Sequence, residues 1–174
     1  MNLNEKSKNI KLLLLDVDGV LTDGSIILGD SNQETKIFNV KDGLGIKLAQ
    51  AGGIEIGIIT GHTSEAVKKR ADELDIKILN HGQPDKLEVY EQIKNDLVLK
   101  DEQIAYVGDD LSDLKVLQKV GFSIAVNDAC DDVKAEADYI TKSSGGKGAV
   151  REVIELILKS QGKWQALIQK YYGT

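Results

Sequence analysis

The sequence predicts an α/β domain with a central parallel sheet, helices on both of its faces and one β-hairpin inserted after the first strand. Three observations carry this expectation. Short apolar runs recur without the alternation of a half-exposed strand, as strands covered on both sides require. Stretches of helical period lie between them. One segment alternates instead, and it follows the first apolar run directly.

The apolar runs place strands at residues 10–15, 54–59, 76–79, 104–107, 123–126 and 139–140. Helices are expected at 43–51, 64–74, 86–97, 112–120, 131–135 and 148–158. In the second of these, Ala66, Val67, Arg70, Ala71 and Leu74 keep helical spacing behind a Ser64-Glu65 start. The alternating segment, about residues 25–40, reads as Ile26-Ile27-Leu28, a turn at Gly29-Asp30-Ser31-Asn32, and a second arm at Lys36-Ile37-Phe38. A C-terminal tail, about residues 160–174, carries Trp164, Leu167, Ile168, Tyr171 and Tyr172 on an amphipathic pattern.

The 174 residues favour one domain over 1–174, with no repeat or linker composition. Aromatic residues are only 5%, which argues against stacking platforms for single-stranded nucleic acid. A net charge of −6 repels a duplex backbone. The one cysteine, Cys130, excludes an internal disulfide and a thiolate zinc cluster, and it suits a reducing cytosol. It reads as a small residue at a strand-to-helix connection. No apolar run approaches a membrane span, and the polar residues 1–11 do not read as a signal peptide.

The chemistry concentrates at strand ends. Leu12-Leu13-Leu14-Leu15 runs into Asp16-Val17-Asp18-Gly19-Val20. Residues i and i+2 share a face while the chain stays extended, so the two carboxylates converge beyond the carboxyl end of a buried strand. Packed anions repel unless a cation joins them, which implies a hard metal bound through oxygen. A second apolar strand ends in Gly108-Asp109-Asp110-Leu111-Ser112-Asp113, bringing more acids to the same sheet edge. Between them lie the strand tip Thr60-Gly61, with a hydroxyl and an amide suited to phosphate, and Lys86 at a helix start. Taken singly, Thr60 is a plain helix entry and Lys86 an exposed lysine; the order of strand tips raises both.

The order Asp-x-Asp-Gly-Val, Thr-Gly, Lys and Gly-Asp-Asp-x-x-Asp, spanning Asp16 to Asp113, resembles the haloacid dehalogenase superfamily of phosphohydrolases. The run Asp16 to Gly24, the stretch Phe38 to Gly45 with Lys41-Asp42-Gly43-Leu44-Gly45, and Gly145-Gly146-Lys147-Gly148-Ala149-Val150-Arg151-Glu152 resemble its 3-deoxy-D-manno-octulosonate-8-phosphate (KDO-8-phosphate) phosphatases, over about residues 8–162. The resemblance implies a Rossmann-like three-layer core without a separate cap domain, and a homotetramer joined by the hairpin. In that group the open active site is closed by a neighbouring subunit, and the C-terminal tail can lie near it. The tail also reads as a plain surface terminus.

The resemblance further implies a cytoplasmic, Mg2+-dependent phosphatase of a small phosphorylated sugar acid, working in lipopolysaccharide sugar biosynthesis. Asp16 is the expected nucleophile and Asp18 the general acid and base, with a raised pKa expected at Asp18. Mg2+ is assigned to Asp16, the backbone carbonyl of Asp18 and Asp109. Phosphate is assigned to Asp16, Thr60, Gly61 and Lys86, and Asp110 and Asp113 are expected to orient the metal shell. Substrate candidates are His62, Arg70 and Lys147. His62 stands where related phosphatases often carry Arg, so a nine-carbon keto-sugar acid 9-phosphate is an alternative substrate; His62 also reads as a helix cap. Arg70 and Lys147 read equally as solvated side chains, and His81 as a loop residue. The glycine-rich loop 145–148 can present amides to an anion, but it lacks nucleotide-binding spacing.

Two rivals use similar residues. A phosphosugar mutase generally needs a cap to exclude water, and no insertion here is long enough. A receiver-like phospho-acceptor domain places its acceptor aspartate after an earlier acidic pair, whereas here the Asp-x-Asp pair comes first.

Overall fold

The structure, a computed structural model, describes residues 3–28 and 34–173. Its central sheet has six parallel strands in the order β5-β4-β1-β6-β7-β8. These are β1 (Leu12–Leu15), β4 (Glu55–Thr60), β5 (Ile78–His81), β6 (Ile104–Gly108), β7 (Phe122–Ala125) and β8 (Tyr139–Ile140). A two-stranded antiparallel ribbon, β2 (Ile27–Leu28) with β3 (Glu34–Thr35), follows β1.

Helices form two groups, as a sheet covered on both faces requires. α1 (Leu3–Lys8), α2 (Val40–Ala51), α7 (Ala149–Ser160) and α8 (Trp164–Tyr172) pack through α7. α4 (Lys86–Asp96), α5 (Leu114–Leu117) and α6 (Asp131–Glu136) pack in series. α3 (Glu65–Glu73) joins β4 to β5. No cap domain is evident, and no helix among the described residues is long and apolar enough to cross a membrane.

All four leucines of β1 are fully buried, as are Ile104 to Val107 of β6 beside it. Burying each of the leucines contributes roughly 1.5–3 kcal/mol. The chain winds outward from β1 through β4 to β5, then crosses back to β6 on the other side of β1. That reversal opens a crevice beyond the carboxyl ends of β1, β4 and β6.

Several local expectations change. The second hairpin arm pairs at Glu34–Thr35, not at Lys36-Ile37-Phe38, because Lys36 turns inward to meet two carboxylates. The expected turn at residues 29–32 lies outside the described residues. The helix expected at 112–120 is a 3₁₀ turn, Leu111–Asp113, and the short α5, since Asp113 is drawn back toward its own N-terminal turn. His81 ends β5 instead of lying in a loop. The polar N-terminus forms α1, with Ser7 bonding back to the carbonyls of Leu3 and Asn4. The tail is helix α8, anchored by buried Leu167 and by Trp164 beneath the cations of Arg151 and Lys159, 5.3 and 5.2 Å from its ring.

Candidate active site

Asp16 is the first residue past β1, and its amide donates to the Val107 carbonyl of β6 at 3.1 Å. Asp109 is the first residue past β6. Adjacent parallel strands therefore deliver both acids to one point. Oxygens of Asp16, Asp109 and Asp113 lie within 4.8 Å of one another. Gly19 makes this approach feasible: its φ of +89° suits only glycine well, and a Cβ there would sit 1.9 Å from Asp109 Oδ2.

The cluster is electrostatically stressed. Burial, then the Asp113 charge, raises Asp16 to about 6 against the pull of Lys86. Burial, then the charges of Asp16 and Asp113, raises Asp109 to about 8, and Asp109 shares a hydrogen bond with Asp16. Burial and crowded like charge disfavour the ionised carboxyls, and a divalent cation among them would relieve both.

Lys86, at the start of α4, is only 5% exposed. Asp85 caps this helix through the Leu87 amide, which fixes where Lys86 leaves it. Its ammonium lies 3.0 Å from Asp16 and 2.7 Å from Asp113. Asp113 is fully buried, and both of its oxygens are engaged. Oδ1 accepts from Lys86 and from the Tyr106 hydroxyl at 2.6 Å, and Oδ2 accepts from the amides of Asp109 and Asp110. Such saturation makes Asp113 an organiser of Lys86 and of the turn that carries Asp109. Asp110 is exposed and caps the 3₁₀ turn by accepting the Leu111 amide. Thr60, buried at the end of β4, accepts the His62 amide at 3.4 Å, and a Cβ at Gly61 would lie in ordinary contact with the Gln83 carbonyl oxygen, at 3.9 Å.

At Asp18 the expected raised pKa is overturned. Burial pushes it up, but hydrogen bonds from Lys36 and His62 outweigh burial and hold the carboxyl below its ordinary value. Lys36 Nζ lies 2.5 Å from Oδ1, and His62 Nδ1 is 3.3 Å from Oδ2. His62 is largely exposed and does not cap α3; Ser64 does. Lys147 pairs with Asp23 at 3.2 Å, its side chain exposed. Arg70 is not brought to the acids: it pairs with Glu73, lies over the Phe38 ring and packs against Gly43 of α2.

The glycine-rich loop spends its amides on partners within the protein. The amide of Gly145 bonds Asp128, that of Gly146 the Val20 carbonyl, and that of Lys147 the Ser144 carbonyl. The loop instead buttresses residues 19–22 backbone against backbone, and a Cβ at Gly145 would sit 1.7 Å from the Gly19 carbonyl oxygen. Asp42 holds it from behind by accepting the Arg151 amide near the start of α7. Sequence reasoning missed Tyr106 and Lys36. The only signal for Tyr106 was a hydroxyl inside an apolar strand that ends in acids; for Lys36, it was a cation in an alternating arm.

The chain is similar in sequence and fold to known proteins. A model of the haloacid dehalogenase-like hydrolase family matches residues 76–154. The chain is 49% identical over 158 residues to a 3-deoxy-D-manno-octulosonate 8-phosphate phosphatase, KdsC, of Escherichia coli strain K12, covering 91% of this chain and 84% of that one. A phosphatase of the same name from Moraxella catarrhalis, solved in complex with magnesium, phosphate and KDO, superposes with a TM-score of 0.94 at 46% identity, covering 97% of each chain. The cobalt-bound deoxy-D-mannose-octulosonate 8-phosphate phosphatase of Haemophilus influenzae superposes with a TM-score of 0.88 at 39% identity, covering 91% of this chain and 92% of that one.

Proposed function

The chain belongs to the haloacid dehalogenase-like hydrolases and is a phosphatase, and from that premise we propose that it hydrolyses 3-deoxy-D-manno-octulosonate 8-phosphate through an aspartyl-phosphate on Asp16. The observation that carries the reading is the meeting of Asp16, Asp109 and Lys86 at one sheet edge. Asp16, the Asp18 backbone carbonyl and Asp109 would hold Mg2+, which would offset the repulsion between carboxylate and phosphate.

The Asp16 carboxylate attacks phosphorus. The bond from phosphorus to the sugar oxygen breaks, and that oxygen takes its electron pair and a proton from Asp18. Asp18 then removes a proton from water, which attacks phosphorus; the bond to Asp16 breaks and inorganic phosphate leaves. A phosphate anion beside Asp18 raises its proton affinity, the direction that acid catalysis needs and that the resting site opposes. Thr60, the Gly61 amide and Lys86 hold phosphate oxygens, with Lys86 kept in place by Asp113.

His62, exposed and 3.3 Å from Asp18, and the exposed Lys147, paired with Asp23, are the proposed partners of the substrate's acid end. His62 in place of Arg also favours a second reading, a nine-carbon keto-sugar acid 9-phosphate. The proposed setting is cytoplasmic lipopolysaccharide sugar synthesis, where loss of the protein should leave the sugar phosphate unhydrolysed in cell extracts.

A phosphate-release screen over eight- and nine-carbon keto-sugar phosphates, with and without Mg2+, tests the substrate. Asp16→Asn should abolish turnover with the fold intact, and phospho-protein trapped by acid quench should carry its label on Asp16. Normal turnover by Asp16→Asn rejects the mechanism.

A further inference from the structure

The cation at Asp18 comes from outside the sheet. Lys36 follows the second arm of the hairpin, and its side chain is only 4% exposed. Its ammonium is gripped from two sides, by Asp18 at 2.5 Å and by Glu34 at 2.9 Å. Glu34 is itself hydrogen-bonded to Ser64, the cap of α3. A chain of polar contacts therefore runs from α3 through the hairpin to Asp18, and His62 closes it on the other carboxylate oxygen. Ile37 beside it is exposed, whereas the Lys36 side chain is covered.

We infer that Lys36 is a positioning residue, which clamps the Asp18 carboxyl in the orientation that meets the departing sugar oxygen and so makes the hairpin part of the active centre. The inference rests on the reading of Asp18 as acid and base given above. Lys36 acts through Asp18 and not on the phosphate: the ammonium is covered, and both of its close partners are protein carboxylates. A lysine left to itself samples many rotamers. Holding it between two carboxylates costs entropy that the geometry of Asp18 recovers.

A clamp on the acid matters only where the leaving oxygen needs a proton. The value of kcat/KM reports steps up to departure of the leaving group, so it isolates the first proton transfer. Lys36→Met is therefore compared with the wild-type protein on the best sugar phosphate of the screen and on p-nitrophenyl phosphate, whose phenolate leaves without protonation. The variant should lose about tenfold or more in kcat/KM on the sugar phosphate and less than about twofold on the aryl phosphate. Lys36→Arg should recover most of the loss. In an Asp18→Asn background, Lys36→Met should cost nothing further, because both changes remove the same step. Glu34→Gln, which only loosens the grip, should show a smaller loss with the same leaving-group dependence, and it serves if Lys36→Met does not fold.

Equal losses on the two substrates, no loss at all, or additive losses with Asp18→Asn would each overturn the inference. A wild-type protein that releases no phosphate defeats the functional reading instead, so the two failures are told apart in one experiment.

Discussion

At the scale of single residues, this site turns on where positive charge is supplied. Asp16 and Asp109 are crowded carboxyls raised to about 6 and about 8, while Asp18, a few residues away, is held low by Lys36 and His62. Raised carboxyl pKa values carry a sign for stability. The folded state binds protons that the unfolded state releases, so these groups favour folding at low pH and lose that contribution as pH rises through about 6 and about 8. Mg2+ replaces the missing protons. Millimolar Mg2+ should therefore raise Tm more at pH 8 than at pH 6, and Asp109→Asn should raise the metal-free Tm at pH 8 while abolishing the Mg2+ response. Thermal melts at both pH values decide this; an equal Mg2+ effect at each would contradict it. The aspartates were legible in the sequence because each follows an unbroken apolar strand. The partners that set their charge were not, because Lys36 reaches Asp18 from the hairpin and Lys86 reaches Asp16 from the start of α4.

At the scale of elements, loops carry the chemistry and rigid strands and caps aim it. Strand identities were readable because a doubly covered strand shows as an apolar run. The second hairpin arm and the helix after Asp113 were misplaced, since tertiary contacts of Lys36 and Asp113 override local pattern there. The role of loop 145–148 also changed, from anion cradle to buttress. Its glycines allow backbone to meet backbone, and an added methyl at Gly145 would collide with the Gly19 carbonyl. Gly145→Ala should destabilise the protein by about 1–3 kcal/mol, the usual cost of overpacking. Activity should fall with it, because residues 19–22 lead out of the Asp16–Asp18 turn. Denaturant melts and turnover at saturating Mg2+ check both; a variant with wild-type stability would contradict the packing argument.

At the scale of the whole molecule, the crevice stands open, with no cap domain to cover it. The hairpin beside it and the segment that leads into α2 expose Ile26, Leu28, Ile37 and Val40, apolar side chains that suit burial against further copies of this chain. Tetramerisation through these side chains is the assembly proposed here. Sedimentation should give a tetramer for the wild-type protein and smaller species for Ile26→Asp combined with Leu28→Asp; a wild-type monomer at micromolar concentration would remove the proposal. The sequence by itself determined the parallel sheet, its acidic edge and the order in which Asp16, Thr60, Lys86 and Asp109 arrive, because burial and turn chemistry are written in neighbouring residues. Only the tertiary structure decided that Lys36 clamps Asp18, that Asp113 is saturated by Lys86, Tyr106 and two amides, and that Arg70 faces α2 instead of the site. The contacts of Lys36 and Lys86 join residues 18 and 27 positions apart, and those around Asp113 depend on how its turn folds back; a side chain's partner follows from three-dimensional proximity, which no local pattern encodes.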